Sequence, residues 1–250
     1  MAARDGRYNP SVVWLSRFVH DARSVEDATP RRVARLPDGS INLVFRAHAE
    51  GGTADLTVSG PRTRAYFKLA TGIRRWITIE LKRGWSTQLL GVPAHTLTDR
   101  IVHLHDLWGA AGAGLCDELR ATRTVADAVE RISRAFAVRT ERAVEPAAAR
   151  IARRAARMLE TENVRIASVA DRLGVTSRHL RRAFLEHIGV GPKDFARAVR
   201  LRRVVQRATP VADWGRVATD AGYYDQAHLI GDFRALVGLT PGAFAKLDLR

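Results

Sequence analysis

Residues 169–195 read VADRLGVTSRHLRRAFLEHIGVGPKDF, and residues 217–244 read VATDAGYYDQAHLIGDFRALVGLTPGAF. Val169, Ala170 and Gly174 return 48 residues later as Val217, Ala218 and Gly222. After one additional turn residue, His179, Leu180, Phe184, Gly189, Pro192 and Phe195 return 49 residues later as His228, Leu229, Phe233, Gly238, Pro241 and Phe244. This many matches in order mark one supersecondary unit written twice. In each copy a short apolar helix ends at a glycine, two or three turn residues follow, and a second helix opens on a small polar or acidic cap, Ser177 or Asp225.

Two helices joined in this way form the helix-turn-helix pattern, whose second helix enters the major groove of DNA. At 100° per residue, Leu180, Ala183, Phe184 and His187 fall on one side of the first copy's second helix, and Arg178, Arg181, Arg182 and Leu185 on the other. The apolar side is expected to pack inward and the three arginines to face out. Charges on a helix are usually just a solvated face. Three guanidiniums within one and a half turns of this particular helix point instead to base edges and phosphates, because Arg offers guanine a bidentate fork.

The two units are joined by a segment beginning GPKDFARAVRLRR, and the second carries AGYYDQAHL, Phe233 and GLTPGAF. Together these motifs resemble the DNA-binding domain of the AraC/XylS family of bacterial transcription regulators, over about the last hundred residues. The resemblance implies two helices placed in successive major-groove segments on one face of double-stranded DNA. It also implies Gln226 as a residue that touches a base, and a long polar or basic residue where this chain has Gly231. Pro192 is placed to start a connecting helix and Pro210 to end it. The ~16 residues between them span roughly 24 Å, enough to hold two readers about one DNA turn apart.

The copies are unequal. At the repeat offset Arg178, Arg181 and Arg182 correspond to Ala227, Ile230 and Gly231. Arg165 to Arg207 carries eleven basic residues against three acids, whereas Asp213 to Phe244 carries two against four. The first unit and the connecting helix are therefore expected to supply most of the affinity, with Thr176, Ser177 and Asp225 fixing helix starts and the second unit positioning through its helix amides and Gln226. On the connecting helix Lys193, Arg200, Arg203 and Arg207 cluster within a third of the circumference and read as a phosphate-facing stripe. Phe195, Ala198, Leu201 and Val205 lie along another side.

The whole chain has 250 residues, 41 basic side chains and a formal charge of +15, far more than solubility requires. An anionic partner is expected, and nucleic acid fits best. No apolar run approaches the ~18 residues needed to cross a bilayer, and the first twenty residues lack the pattern of a secretory signal, so a cytoplasmic location is expected. The single cysteine, Cys116, excludes an internal disulfide.

Toward the N-terminus, short β-branched or aromatic runs alternate with turn signals: VVWLSRFV, RRVAR, INLVFRA, ADLTVSG, RAYFKL and RWITIEL. They predict antiparallel strands of a small sheet or partial barrel. The phrases LPDGSINLVF, LTVSGP and LLGVPAHTLTDRIVHLHDLWG resemble a shortened, cupin-like N-terminal domain found with such DNA-binding domains, which implies a sensing or dimerising role and no particular ligand. Beyond Val92 the pattern becomes helical, with Thr124 as a cap and Val125, Val129, Ile132 and Phe136 on one face. The fold class is thus an α+β N-terminal domain over residues 11–140, followed by an all-α double helix-turn-helix domain over 147–250. Its units are expected at about 166–189 and 213–238, joined by a helix at about 192–207.

Several clusters invite chemistry. His103, His105 and Asp106, with His95 and His20, could suggest a metal site, but DRIVHLHDLW reads better as a strand passing into a helix, so no metal is expected. His179 and His228 hold equivalent repeat positions, which indicates a packing role. Cys116 has neither a partner cysteine nor a flanking basic residue and reads as a small core residue. Trp76, Trp85 and Trp108 read as core, with a ligand pocket as the other reading. No phosphate loop, nucleophile elbow or carboxylate pair appears, so neither an enzyme nor a cofactor is expected.

The reading is a sequence-specific DNA-binding transcription regulator, with activation or repression left open. Besides DNA, its expected partners are RNA polymerase, a small-molecule effector and a second copy of the chain. The rivals are a basic, nucleoid-type binder without sequence choice and a carrier or enzyme built on the first domain.

Overall fold

The computed structural model describes residues 6–7, 18–25, 30–49, 51–141, 143–209 and 212–247. The run at 11–17 and Pro210 lie outside the described residues. The described strands are β1 (Gly6–Arg7), β2 (Val19–Val25), β3 (Arg31–Arg35), β4 (Ile41–His48), β5 (Ala54–Ser59), β6 (Tyr66–Ala70), β7 (Ile73–Leu81) and β8 (Ile101–His103). They form a six-stranded antiparallel sheet in the order β1-β2-β7-β4-β5-β8 and a separate β3-β6 pair.

Period-2 alternation gives the large sheet two distinct faces. Leu43, Phe45, Leu56, Val58, Ile77 and Ile79 point into one core and are almost wholly buried. The other face carries Asn42, Arg46, Thr57, Ser59, Thr78 and Glu80, which border an open cavity of about 800 Å³ flanked by β3 and β6 and, from the C-terminal helices, by Glu160 and Arg202. Strand β2 continues through His20, Asp21 and Arg23, polar positions that the apolar-run reading did not extend into. Its solvent and cavity faces need no apolar residues.

Helices cover the apolar face: α1 (Ser86–Leu90), α2 (Leu104–Trp108), α3 (Ala110–Ala121) and α4 (Val125–Thr140), with a 3-10 turn at Ala94–Leu97. Thr124 Oγ1 accepts from Asp127 N at 3.1 Å and starts α4, while Ala128, Val129, Ile132 and Phe136 bury its inner stripe. As the sequence indicates, His103 ends β8 and Leu104 begins α2. Asp106 bonds His103 N at 3.2 Å, and the His103 and His105 rings stack at 4.9 Å on the surface. Trp85 and Trp108 belong to the core. Trp76 instead lines the cavity and donates to Thr78 Oγ1 at 2.8 Å. Cys116 is half-buried, and burial pushes its thiol up.

The C-terminal region is all α: α5 (Ala147–Thr161), α6 (Ile166–Arg172), α7 (Ser177–His187), α8 (Pro192–Arg207), α9 (Trp214–Ala221), α10 (Gln226–Val237) and α11 (Pro241–Phe244). Each duplicated unit has its own core. Leu180, Ala183, Phe184, Ile188 and Phe195 gather with α5 in the first, and Leu229, Phe233, Val237 and Phe244 with Leu201 and Val204 in the second. The duplication is visible in the rings: Phe184 meets Phe195 edge to face at 5.7 Å, and Phe233 meets Phe244 at 5.6 Å. Helix α8 contributes to both cores, so it is buried on two sides.

A candidate nucleic-acid interface

Helix α7 is the second helix of the first helix-turn-helix unit. Its start is fixed by Thr176, whose Oγ1 accepts from His179 N at 3.1 Å. Ser177 is the first helical residue rather than the cap, because the turn after Gly174, itself at φ 66°, leaves Thr176 as the last extended residue. Leu180, Ala183, Phe184 and His187 are buried. Arg178, Arg181 and Arg182 are exposed along the opposite side.

Helix α10 is its counterpart in the second unit. Asp225 Oδ1 accepts from His228 N at 2.7 Å, an N-cap in the same repeat position as Thr176. Gln226 and Ala227 stand exposed on its first turn, Ile230 is half-buried and Gly231 is exposed. A Cβ at Gly231 would meet nothing within 4 Å, so packing does not demand glycine there. Sequence reasoning passed over Tyr224, which is 91% exposed immediately before the cap. Its neighbour Tyr223 is buried and donates to Asp232 Oδ2 at 3.1 Å. Burial and the Asp232 charge hold the Tyr223 phenol well above its ordinary range. Only the alternation of one inward and one outward tyrosine at a turn could have signalled Tyr224.

The connecting helix departs from a free basic stripe. Lys193 and Arg207 are exposed, but Arg200 is half-buried with its guanidinium 5.3 Å over the Tyr223 ring. Arg203 donates through Nη2 to Glu160 O at 2.7 Å. The cause is the double burial of α8: a helix with a core on two sides brings its intervening side chains against neighbouring elements. Arg197, on the same helix, pairs with Asp232 of α10 at 2.5 Å and so ties the two units together.

His187 closes the buried face of α7. Burial pushes its imidazole below the ordinary value, outweighing the opposing charges of Glu186 and Glu145. The folded state therefore holds this ring neutral, whereas the unfolded chain takes up a proton below about pH 6.5. The contribution is fully present above that pH and is lost as pH falls toward the depressed folded value. The melting temperature should fall between about pH 7 and about pH 5, and less steeply in His187→Leu than in the parent. Equal slopes would remove His187 as a source of acid sensitivity.

Residues 169–247 match a family described as "Helix-turn-helix domain", and residues 7–103 match "Domain of unknown function (DUF6597)". The C-terminal region is an AraC-type helix-turn-helix domain. No curated protein matches the chain. Among solved structures, ToxT from Vibrio cholerae is similar at 12% identity, covering 90% of this chain and 96% of that one, with a TM-score of 0.44. ToxT bound to (E)-4-(8-methylnaphthalen-1-yl)but-3-enoic acid gives 10%, 90%, 96% and 0.43. ToxT of V. cholerae strain SCE256 with bound unsaturated fatty acid gives 10%, 91%, 94% and 0.43.

An AraC-type helix-turn-helix domain is a DNA-binding domain of the kind that transcription regulators carry. Within the domain, charge is distributed unevenly. The exposed face of α7 carries three guanidiniums, whereas the equivalent face of α10 carries Ala227, Ile230 and Gly231. Among the described residues, no helix is long and apolar enough to cross a membrane.

Proposed function

We propose that the AraC-type domain reads a specific DNA sequence, with α7 supplying most of the affinity and α10 setting register. The observation that carries this is the exposed trio Arg178, Arg181 and Arg182 on a helix whose opposite side is fully packed. Arg and Lys at such a surface displace condensed counterions, and an Arg fork on guanine adds base choice. Thr176 and Asp225 cap the two helix starts, with Ser177 in the first turn of α7, and the free N–H groups there face the phosphates. Lys193 is the exposed cation of α8 nearest α7 in sequence and takes a phosphate. Arg200 and Arg203 act at the edge of that surface, held by Tyr223 and Glu160. Gln226 and the exposed Tyr224 supply the second unit's contacts.

The N-terminal domain senses a small molecule in the cavity between the large sheet and the β3-β6 pair. Among the described residues its walls carry eight Arg or Lys side chains against four carboxylates, with Val33, Val44, Tyr66 and Trp76 as apolar surface. Six of the eight are ion-paired, Arg23 with Asp21, Arg35 with Asp38, Arg46 with Asp55, Arg62 with Asp99, and Arg83 and Arg202 with Glu160, so Arg32 and Lys68 are the cations placed to meet an anionic group on a partly apolar ligand.

The ranking of the two units is tested by single substitutions measured on one selected operator. Arg182→Ala should weaken binding by about 1–3 kcal/mol, a factor of roughly 5 to 150, and Gln226→Ala by less. A larger loss from Gln226→Ala would reverse the ranking.

A further inference from the structure

The last carbonyls of a helix have no partner within it and must find one elsewhere. At the end of α7, His187 O accepts from Gly84 N of the N-terminal domain at 3.0 Å. At the end of α10, Leu236 O accepts from Ala65 N of the same domain at 2.7 Å. His187 and Leu236 are separated by 49 residues, the offset of the duplication, so they are the same position of the repeated unit. One domain thus grips both reading helices at equivalent backbone atoms.

The surrounding packing follows the same division. Leu36 and Ala65 rest against the core of the second unit. Three residues beyond Leu36, Gly39 lies against the first: a Cβ there would come within 2.7 Å of Ile188 Cγ2 and 2.8 Å of Phe195 Cδ2. Thr98 Oγ1 adds a bond to Gly189 O at 2.6 Å, just past the end of α7. A Cβ on Gly189, at φ 96°, would meet Pro61 Cγ at 2.6 Å. The turn between β3 and β4 therefore bridges the two units. It forms a second connection between them, in addition to α8 itself and its Arg197 to Asp232 pair.

We infer that the N-terminal domain is a two-point clamp that fixes the angle and separation of α7 and α10, with Leu36, Gly39, Ala65 and Gly84 as positioning residues for DNA reading. The inference rests on the reading that both units grip one duplex. Its consequence is that spacing tolerance on DNA is set by a domain that touches no base. Leu36, Tyr66 and Arg83 also line the cavity, so the clamp and the candidate ligand share walls.

The test uses the full chain with Cys116→Ser and spin labels at Glu186→Cys and Ala235→Cys. Both sites are exposed and lie at equivalent repeat positions. Pulsed dipolar spectroscopy should give one narrow distance in this parent. In Gly39→Leu, which wedges the first contact, or in the milder Leu36→Ala, which loosens the second, the distribution should broaden at least about twofold, as for domains released from a tight interface. Broadening in either variant, with helix content by circular dichroism unchanged, supports the clamp. Parent-like widths in both overturn it. Retention on DNA is measured on the same samples: a parent that does not bind DNA overturns the functional reading, while the distances still decide the clamp.

Discussion

Replacing Arg178, Arg181 and Arg182 together by alanine should abolish retention of the chain on its operator while leaving its fold intact. Each guanidinium that pairs with a base or phosphate contributes about 1–3 kcal/mol, so even the lower bound of three such contacts gives a loss of more than about 100-fold. All three side chains are exposed and make no described hydrogen bond, whereas the buried residues of α7 are untouched. Alanine is also the better helix former, so thermal stability should stay within about 0.5 kcal/mol of the parent. The salt dependence provides a second reading of the same event: the slope of log affinity against log salt should become shallower by about one for each phosphate contact removed. Filter binding or anisotropy across a salt series measures both. An unchanged slope with weakened binding would assign the trio to base contacts alone.

The second large effect is on stability. Asp232→Ala removes a carboxylate that is 8% exposed and accepts from Arg197 Nε at 2.8 Å, Arg197 Nη2 at 2.5 Å and Tyr223 OH at 3.1 Å. The substitution leaves a half-buried guanidinium and a buried phenol without their acceptor. Breaking one side of such a pair costs about 3 kcal/mol, more than deleting the pair as a whole. Arg197→Met combined with Asp232→Leu should therefore be more stable than Asp232→Ala alone, as read from chemical denaturation midpoints. The loss falls on the joint between α8 and α10, so binding through Gln226 should weaken with it. A denaturation midpoint within error of the parent would show that this pair contributes little to the joint.

The duplication itself was legible, because a repeat of Gly, His, Leu, Phe and Pro at one offset constrains the chain to one local answer in each copy. Phe184 against Phe195 and Phe233 against Phe244 are that repeat realised in packing. The start of α4 at Thr124 and the passage from β8 into α2 were legible for the same reason: both are decided within a few residues. What escaped depended on distant partners. Arg200 and Arg203 lie on one stripe of α8, but Tyr223 and Glu160, which hold them, are brought alongside by tertiary packing. The cap at Thr176 rather than Ser177 turned on where the extended backbone ends, one residue from where composition placed it. The cationic cavity collects Arg35, Arg62, Lys68, Arg83 and Arg202 from separate segments, and no periodicity in the chain relates them. The bonds to His187 O and Leu236 O are made by backbone atoms and leave no side-chain signature at all.

The central claim is that this chain chooses a DNA sequence through α7, rather than gripping any duplex by charge. The direct measurement is the affinity of the purified full chain for its selected operator and for a scrambled duplex of the same length and composition, at matched salt. The operator should be preferred by at least about 1,000-fold, and the preference should fall toward parity when Arg178, Arg181 and Arg182 are neutralised. Comparable affinity of the unaltered chain for both duplexes would contradict it and leave a basic binder without sequence choice.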